Sequence, residues 1–494
     1  MPAMKYPLKE RCAMILKKSI TFFVASLCLC LGAWADTGSV LFLYTSDMHD
    51  YIKPGPDNLG GLPYVAGYIA SVRQQRDDIL VLDGGDVMEK GDMVAYKTQS
   101  RIMYEAMGKI GYDAGAVGNH DLEYGLEHLR ECSRLAGMTH LCLNYYDEAG
   151  KPYFSASKIF DVKGTKIGII GLTVLKGGPF LDLPECGARL AAEAARLKSE
   201  GVHLVAVIAH IGSRDLAKLS PYAPEVALFF GGHNHEILVE PRVVPETGAL
   251  ILMAGQYARY VVHMDVTVDL EKGRIANYTM QAAEMAHDRV RPDEEMLAWI
   301  KAEEARVVPD AAEVVGRADD VVQANAMAKV AAEAFKWYGK ADAAFCHTGQ
   351  IMRSSLSAGE IDQNALFRTG GQRGETLFMA ELTGAQIQAY LEGLAAEKRG
   401  QTEWAGFQGK VVFDREADAW KVRGNLDLNK TYKVIVPELE WDTRFMKVAQ
   451  ATPLLSGIEK PEKAAFTFVD AVAAYIKRLT AEGETLDAHV KAIR

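Results

Sequence analysis

The stretch GNHDLEYG, residues 118–125, follows directly on the apolar run AGAV, residues 114–117. An amide, an imidazole and a carboxylate stand in succession where a buried strand is expected to end. In open α/β sheets, ligands bind beside the carboxyl ends of the strands. These eight residues therefore predict a reactive site at the edge of an α/β sheet.

Four further clusters of metal-binding side chains also follow apolar runs, at residues 40–44, 79–82, 204–208 and 226–230. The clusters are Asp47-Met48-His49, Gly85-Asp86, Ala209-His210 and Gly232-His233-Asn234-His235. A single Asp-x-His or Gly-Asp is most often surface decoration or a turn. Five clusters in order, each after a strand, predict one metal site at one edge of one sheet.

The side-chain types indicate two ions. Asp47 and His49 are spaced by two, so on an extended segment both side chains point the same way. The glycines before Asp86 leave room for its carboxylate to reach two cations. Mixed oxygen and nitrogen ligands suit Zn²⁺, Mn²⁺ or Fe rather than Ca²⁺ or Mg²⁺ alone. Two ions roughly 3.5–4 Å apart favour in-line displacement at a phosphate ester.

The composition is that of a globular chain of two or three domains: 494 residues, 49% hydrophobic and 24% charged. Residues 1–35 have a basic start, an apolar run and Ala33-Trp34-Ala35, which predicts a signal peptide cleaved before Asp36. A retained membrane anchor is the alternative. We expect a periplasmic or secreted protein that has no stable membrane insertion after cleavage.

The net charge and the cysteine content bear on nucleic-acid binding, disulfide pairing and structural zinc. The first 35 residues carry five basic side chains and one acidic one, so their removal changes the net charge from −10 to −14. An acidic body argues against binding to a nucleic-acid backbone. Cys132, Cys142, Cys186 and Cys346 remain, and the sequence leaves open whether Cys132 and Cys142 pair. No CxxC pair is present, which disfavours a structural zinc site.

The order D-x-H, G-D, G-N-H-D, H, G-H-x-H resembles the calcineurin-like metallophosphoesterase superfamily. Within it, residues 40 to about 440 are similar to the secreted 5′-nucleotidase family, with its UDP-sugar hydrolases and 2′,3′-cyclic phosphodiesterases. The resemblance implies an α/β protein. A four-layer α/β/β/α catalytic domain would span residues 36–288, a linker helix 289–312, and an α+β substrate-binding domain of 5′-nucleotidase type 313–494.

The resemblance also implies the ligand sets. One ion would be held by Asp47, His49, Asp86 and His235, and the other by Asp86, Asn119, His210 and His233. His120 would face the substrate, and Glu123, where the family has Asp, would orient it. Asp121 is interpreted as local support.

The second domain departs from the family pattern. The pocket motif reads His347-Thr348-Gly349-Gln350-Ile351-Met352-Arg353, and Arg373 stands where one clamp aromatic is expected. The nucleobase clamp is therefore not visible. Arg353, Arg368 and Arg373 are candidates for holding an anionic group. Trp404, Phe407 and Trp441 are interpreted as core rather than as a substitute clamp.

These observations predict an exported two-metal phosphoesterase that hydrolyses 5′-nucleotides or related small phosphorylated metabolites by attack of a metal-bridging hydroxide. The divalent ions would be Zn, Mn or Fe, and the partner a small phosphate ester. The alternative is a thiosulfohydrolase of periplasmic sulfur oxidation, which uses the same metals and a protein partner. A non-catalytic binding protein is the least favoured hypothesis.

Overall fold

The computed structural model describes residues 36–55, 57–89, 91–175, 181–397 and 401–493. The predicted signal peptide, residues 1–35, lies outside the described residues. Two bodies follow one another along the chain, and each has its own sheets and its own buried core.

The first body contains two six-stranded sheets, and in each sheet four consecutive strands run parallel. The first sheet has the strand order Arg274–Glu284, Tyr260–Asp269, Thr37–Thr45, Ile79–Asp83, Ala114–Ala116 and Thr139–Leu141. The second sheet has the order Ser157–Val162, Thr165–Leu172, Leu204–Ala209, Val226–Gly231, Leu250–Met253 and Arg242–Val243.

Alternation along the strand Thr37–Thr45 shows how the two sheets stack. Phe42 and Tyr44 point into the core between the sheets, and their rings lie 5.3 and 5.0 Å from the ring of Phe230 in the second sheet. Leu41 and Leu43 point the other way, into the core beneath a helical layer. This two-residue period on a strand buried on both faces places the first sheet between the second sheet and a layer of helices.

Helices cover the outer face of each sheet. In chain order they are Leu62–Arg73, Met93–Lys97, Arg101–Ile110, Leu126–Ala136, Leu183–Ser199 and Ser213–Leu219, with a 3-10 turn at Ser220–Tyr222. The first four pack on the first sheet and the others on the second. The predicted α/β/β/α layering is confirmed. The helix Arg101–Ile110 begins after Gln99 and Ser100, which both have left-handed backbone conformations.

The second body is the predicted α+β domain. Its five-stranded sheet has the order Thr402–Ala405, Ala343–His347, Thr431–Pro437, Thr376–Thr383 and Glu462–Thr467. Val314–Ala318 pairs with Gly359–Asp362, and Gly409–Asp414 with Ala419–Gly424. The helices are Ala324–Tyr338, Gln363–Leu366, Gln372–Gly374, Gly384–Ala396, Glu438–Glu440, Met446–Ala451, Phe468–Ala481 and Leu486–Ala492, with π-helical turns at Phe367–Gly371 and Trp441–Phe445 and a 3-10 turn at Pro453–Leu455.

Local capping explains where two of the helices begin. Thr383 and Gln386 form a reciprocal capping box at the helix Gly384–Ala396. The helix Glu294–Val307 begins at Asp293, whose side chain accepts a hydrogen bond from Met296 N. This helix lies within the predicted linker and packs on the first body. The domain boundaries themselves stay a prediction.

Two further expectations concern membranes and disulfides. Within the described ranges, no helix combines the length and apolar character needed to cross a bilayer. Cys132, Cys142, Cys186 and Cys346 are all buried free thiols. The bridge that the sequence left open between Cys132 and Cys142 is therefore not formed, and burial raises the pKa of both thiols to about 12.

Glu440 makes the stability of the second body depend on pH. Its carboxyl group is fully buried, and burial raises its pKa from 4.5 to about 7 despite hydrogen bonds from the hydroxyls of Tyr390 and Thr402. Between these two values the unfolded chain loses a proton that the folded chain keeps. Stability should therefore fall as the pH rises from 4.5 to 7, by roughly 3 kcal/mol, since each pH unit is worth about 1.4 kcal/mol.

Glu440→Gln removes this ionisation, so the variant should lose less stability than the wild type between pH 4.5 and pH 7.5. Urea unfolding followed by tryptophan fluorescence at both pH values measures the difference. Glu438→Gln, on the same short helix but partly exposed, is the matched control. An equal loss in the wild type and in Glu440→Gln would contradict the prediction.

Candidate dinuclear metal site

The five predicted clusters lie immediately after five strands and converge, but they come from two sheets. Three follow the strands Thr37–Thr45, Ile79–Asp83 and Ala114–Ala116 of the first sheet. Two follow Leu204–Ala209 and Val226–Gly231 of the second sheet. The expectation of a single sheet edge was wrong. Both sheets present parallel strand ends at the same end of the sandwich, and a period of two does not reveal which sheet a strand joins.

The backbone of the ligand loops also differs from the expectation. The strand ends at Thr45, and Asp47 and His49 have φ angles of 54° and 48°, so they do not lie on an extended segment. Asp86, His233 and His235 have φ angles of 55°, 75° and 60°. Non-glycine residues rarely adopt this conformation, and when they do it is often at functional sites. Left-handed turns, rather than strand alternation, aim these side chains.

Two glycines allow the loops of the first sheet to meet. A Cβ atom at Gly118 would lie 2.2 Å from Asp86 N and Asp86 Oδ1. Gly85 has a φ of 85°, and a Cβ there would lie 2.5 Å from Gly118 N. Both positions therefore require glycine for close contact between the loops. For Gly85 this is a further role beside the predicted one of leaving room for the Asp86 carboxylate.

Asp47, His49 and His235 form the first ligand group. His49 Nε2 lies 3.1 Å from His235 Nε2 and 3.9 Å from Asp47 Oδ1, and His235 Nε2 lies 3.4 Å from Asp47 Oδ1. Asp47 and His49 are fully buried, whereas His235 is half-buried on the cleft side. Three ligand atoms this close together, with one histidine near the cleft, can hold one ion.

Asp86, His210 and His233 form the second ligand group. His210 Nε2 lies 2.9 Å from Asp86 Oδ2 and 3.3 Å from His233 Nδ1. The same Asp86 Oδ2 lies 3.8 Å from His49 Nε2 of the first ligand group. One carboxylate oxygen therefore faces both groups, which is the geometry needed for a ligand shared by two ions.

Backbone and side-chain contacts hold these ligands in place. The Nδ1 atoms of His49 and His210 lie 3.2 and 2.9 Å from the carbonyl oxygens of Met88 and Gly84, so the Nε2 atoms face the ligand groups. Asp121 does not enter either group. Its carboxylate accepts hydrogen bonds from four backbone amides that span both loops, namely those of Gly118, Asp86, Val87 and Met88. The supporting role predicted for Asp121 agrees with this geometry.

The electrostatics of the buried groups call for positive charge. Burial raises the pKa of Asp47 to about 7. Burial disfavours charge on His210, but the carboxylates of Asp86 and Asp47 outweigh that effect and raise its pKa to about 9. The pKa of Asp86 is lowered, since the neighbouring imidazoles of His210, His49 and His120 more than offset its burial. The cluster therefore holds protons that bound cations would replace.

Asn119 supports the same conclusion. Its Oδ1 atom is buried and has no hydrogen-bond partner among the described residues. A buried amide oxygen without a partner is costly unless it serves a ligand. Carboxylate, amide and imidazole donors together match the preferences of Zn²⁺, Mn²⁺ or Fe. The residues present therefore fit two divalent ions.

His120 stands beside the ligand groups, but its carboxylate partner differs from the predicted one. His120 Nδ1 lies 3.2 Å from Glu89 Oε2, and the imidazole is 24% exposed. Glu123 lies on the turn before the helix Leu126–Ala136 with its side chain exposed, and among the described contacts it forms no ion pair with His120. The structure thus places Glu89, which the sequence analysis missed, where Glu123 was expected.

A cleft between the two bodies opens beside His235. Its walls include Tyr51, Tyr257, Arg353 and Arg373. The rings of Tyr51 and Tyr257 stack on each other, with centroids 4.1 Å apart. Among the described residues the exposed Arg353 guanidinium makes no hydrogen bond or ion pair, whereas Arg373 Nη2 lies 2.5 Å from Glu89 Oε1. Arg353 is thus more available to a ligand than Arg373.

Arg368 joins the two bodies. Its Nε and Nη2 atoms each donate to Asp92 at 2.8 Å, and Asn364 Nδ2 donates to the same carboxylate at 2.6 Å. Asp92 is fully buried, so this arginine is engaged in the interface rather than open to substrate. Trp441 is only 1% exposed, as predicted for a core residue.

Known proteins that are similar to this chain in sequence share this two-part architecture with a metallophosphoesterase-like first body and a 5′-nucleotidase-like second body. Residues 307–441 match the family described as 5′-nucleotidase, C-terminal domain. The 5′-nucleotidase of Vibrio cholerae is 25% identical over 435 residues, which cover 74% of this chain and 77% of that protein. These matches support the 5′-nucleotidase family within the metallophosphoesterase superfamily. The enzyme class predicted from the sequence, a metal-dependent phosphoric ester hydrolase, is that of this family.

Other proteins similar to this chain carry different names. Endonuclease YhcR of Bacillus subtilis is 24% identical over 74% of this chain, which spans only 33% of the endonuclease. A 5′-nucleotidase precursor from Thermus thermophilus shares the fold with a TM-score of 0.69 at 21% identity, covering 90% of this chain and 97% of that one. The sulfate thiohydrolase SoxB of the same genus has a TM-score of 0.66 at 19% identity, covering 91% and 95%. At such identities the solved structures show the fold alone.

Proposed function

We propose that this protein is an exported phosphoesterase that uses two divalent ions to hydrolyse small phosphate esters, with 5′-nucleotides and related phosphorylated metabolites as its substrate class. The observation that carries the proposal is Asp86 Oδ2, which faces both ligand groups. Export is proposed on the leader pattern of residues 1–35, and N-terminal sequencing of the released protein tests it.

The ligand sets proposed are those that the family resemblance implies. Asp47, His49, Asp86 and His235 would hold one ion, and Asp86, Asn119, His210 and His233 the other. Bound there, two divalent ions would supply Lewis acidity to the phosphoryl oxygens and lower the pKa of a water molecule. The protein's part is to keep the donors at fixed positions, which the left-handed loops and the Asp121 hydrogen bonds do.

His120 is proposed to act on the substrate rather than on the ions. Its Nδ1 lies 3.2 Å from Glu89 Oε2, and Nε2 is proposed as the ring nitrogen that transfers the proton. A protonated imidazole can offset charge on the phosphoryl oxygens and pass its proton to the leaving oxygen. Arg353, which lines the cleft beside His235, is proposed to bind an anionic group of the substrate.

The residues of the cleft do not form a nucleobase clamp, so we propose that the enzyme does not require a nucleobase in its substrate. Trp441 is buried, Arg373 is held by Glu89, and Tyr51 and Tyr257 stack on each other. Because stacking contributes about 1–3 kcal/mol per base, an enzyme without a base clamp loses that selectivity. The purified chain supplied with Mn²⁺ or Zn²⁺ should therefore hydrolyse ribose 5-phosphate and AMP with kcat/KM values within about tenfold of each other.

Initial rates on p-nitrophenyl phosphate, AMP, UDP-glucose, a cyclic nucleotide and ribose 5-phosphate measure this prediction, with chelator-treated enzyme as the control. A strong preference for AMP over ribose 5-phosphate would contradict the conclusion that the cleft lacks a nucleobase clamp. Absence of metal-dependent turnover on every ester would overturn the phosphoesterase proposal. Sulfate release from a peptide that carries an S-sulfonated cysteine persulfide, without phosphate release from any ester, would instead support the thiosulfohydrolase alternative.

A further inference from the structure

Glu89 occupies an unusual place in the catalytic half of the molecule. It lies three residues after Asp86 in the loop that follows the strand Ile79–Asp83, is 4% exposed and has a φ of 77°. Its backbone nitrogen donates to Asp50 Oδ2 at 2.7 Å, and the same oxygen accepts a hydrogen bond from Ser100 Oγ at 3.0 Å. A buried acid held in a left-handed conformation by its own backbone has a fixed direction.

The two carboxylate oxygens of Glu89 have different partners. Oε2 lies 3.2 Å from His120 Nδ1, and Oε1 lies 2.5 Å from Arg373 Nη2. His120 belongs to the catalytic domain, whereas Arg373 belongs to the short helix Gln372–Gly374 of the C-terminal domain. Glu89 therefore links the imidazole to the other domain through a single carboxylate.

The segment after Glu89 also carries buried contacts between the domains. Asp92, three residues further on, is buried and receives two hydrogen bonds from Arg368 and one from Asn364. Met93 N donates in turn to Asn364 Oδ1 at 2.9 Å. Arg368 stands five residues before Arg373, so the buried contact at Asp92 sets the position from which Arg373 reaches Glu89.

We propose that Glu89 is the positioning residue for His120 and that Arg373 holds Glu89 in place only while the C-terminal domain is docked. This inference rests on the proposed function for its catalytic consequence. A carboxylate on Nδ1 sets the ring orientation and the tautomer of a histidine. Arg373 binds the second oxygen and so keeps the carboxylate from rotating away. Orientation of His120 thereby becomes dependent on the domain interface.

Three substitutions test the proposal by kinetics. Glu89→Gln and Arg373→Ala should each lower kcat by about 10–100-fold, by analogy with the loss of a hydrogen-bond partner that orients a metal-bound histidine. KM should change by less than about threefold, and metal content should stay at the wild-type value. Arg373→Lys should recover part of the loss. Glu375→Gln, which breaks an ion pair with Lys97 at the same interface, is the control and should leave kcat near the wild-type value.

A spectroscopic comparison tests the same inference without turnover. In Zn²⁺-loaded protein labelled with ¹⁵N-histidine, the His120 signals are assigned by comparison with His120→Asn. Glu89→Gln and Arg373→Ala should both shift the His120 ring signals, whereas Glu375→Gln and Glu123→Gln should not. A wild-type protein that hydrolyses no ester would fail the proposed function, while this comparison would still decide whether Glu89 positions His120.

Three outcomes would overturn the inference. The first is a shift of the His120 signals in Glu123→Gln but not in Glu89→Gln. The second is a rise in KM without a fall in kcat in Arg373→Ala, because Arg373 would then bind substrate. The third is loss of metal in Glu89→Gln, because Glu89 would then serve the ions rather than His120.

Discussion

Asp86→Ala is expected to remove both ions and the phosphoesterase activity together. Asp86 Oδ2 lies 2.9 Å from His210 Nε2 and 3.8 Å from His49 Nε2, so one side chain serves both ligand groups. Its loss leaves each group with one carboxylate fewer and a surplus of imidazoles. The rate should fall by more than the roughly 10²–10³-fold loss that follows removal of one preorganised charge-stabilising contact.

Metal analysis of the dialysed protein by mass spectrometry, together with initial rates on p-nitrophenyl phosphate, measures both losses. Asp77→Ala is the matched control, because Asp77 precedes the same strand but is 78% exposed and pairs with Lys163 at the surface. Circular dichroism establishes that the variant is folded. Full metal content in Asp86→Ala would refute a shared ligand, and full activity would refute the proposed site.

His120→Ala is expected to lose activity but to keep its metal content, unlike Asp86→Ala, which should lose both. His120 belongs to neither ligand group, and its Nδ1 contacts Glu89. Loss of a positioned proton donor costs about 10²–10⁴-fold in rate. The loss should be greatest for an alkyl phosphate and smaller for p-nitrophenyl phosphate, because p-nitrophenolate leaves without needing a proton.

The ratio of kcat on glycerol phosphate and on p-nitrophenyl phosphate, for the wild type and the variant, measures this difference. His128→Ala is the control, since His128 contacts the Gln99 carbonyl oxygen away from the ligand groups. Equal losses on both substrates would show that His120 stabilises charge without donating a proton. Metal loss in His120→Ala would show that His120 is a ligand.

Much of the candidate site could be predicted from the sequence. The apolar runs at residues 40–44, 79–82, 114–117, 204–208 and 226–230 all became strands, and the polar clusters follow each of them. Short apolar runs bounded by glycine are strong signals of a buried strand. A strand that is buried on both faces needs apolar side chains on both, so its sequence is almost continuously hydrophobic. Helix capping also depends on residues that are close together in sequence, as in the capping box of Thr383 and Gln386.

The direction of the ligand side chains could not be predicted. Asp47 and His49 were expected to share a face of an extended segment, yet both have left-handed backbones. Such conformations are unfavourable for an isolated chain. Here hydrogen bonds from Asp47 N to Gly85 O and from His49 N to Asp86 O accompany them. Those contacts exist only once neighbouring loops have assembled.

The carboxylate partner of His120 could not be predicted from the sequence either. Glu123 is three residues from His120 in the chain, whereas Glu89 is 31 residues away. Local spacing favoured Glu123, but that side chain lies on an exposed turn. One signal was available, since Glu89 follows the Gly85-Asp86 cluster closely. The sequence holds 65 acidic residues, however, and nothing in it marks which of them returns to His120.

The sequence by itself determined the kinds of chemical group, the strands that carry them and their order along the chain, because these depend on local hydrophobic pattern and on ligand chemistry. Only the tertiary structure decided that two sheets, not one, supply the site, and that Glu89 and Arg373 tie His120 to the second domain. These features depend on contacts between residues far apart in sequence, such as Asp92 with Arg368. Such contacts form only when packing of the two cores sets the distances between loops.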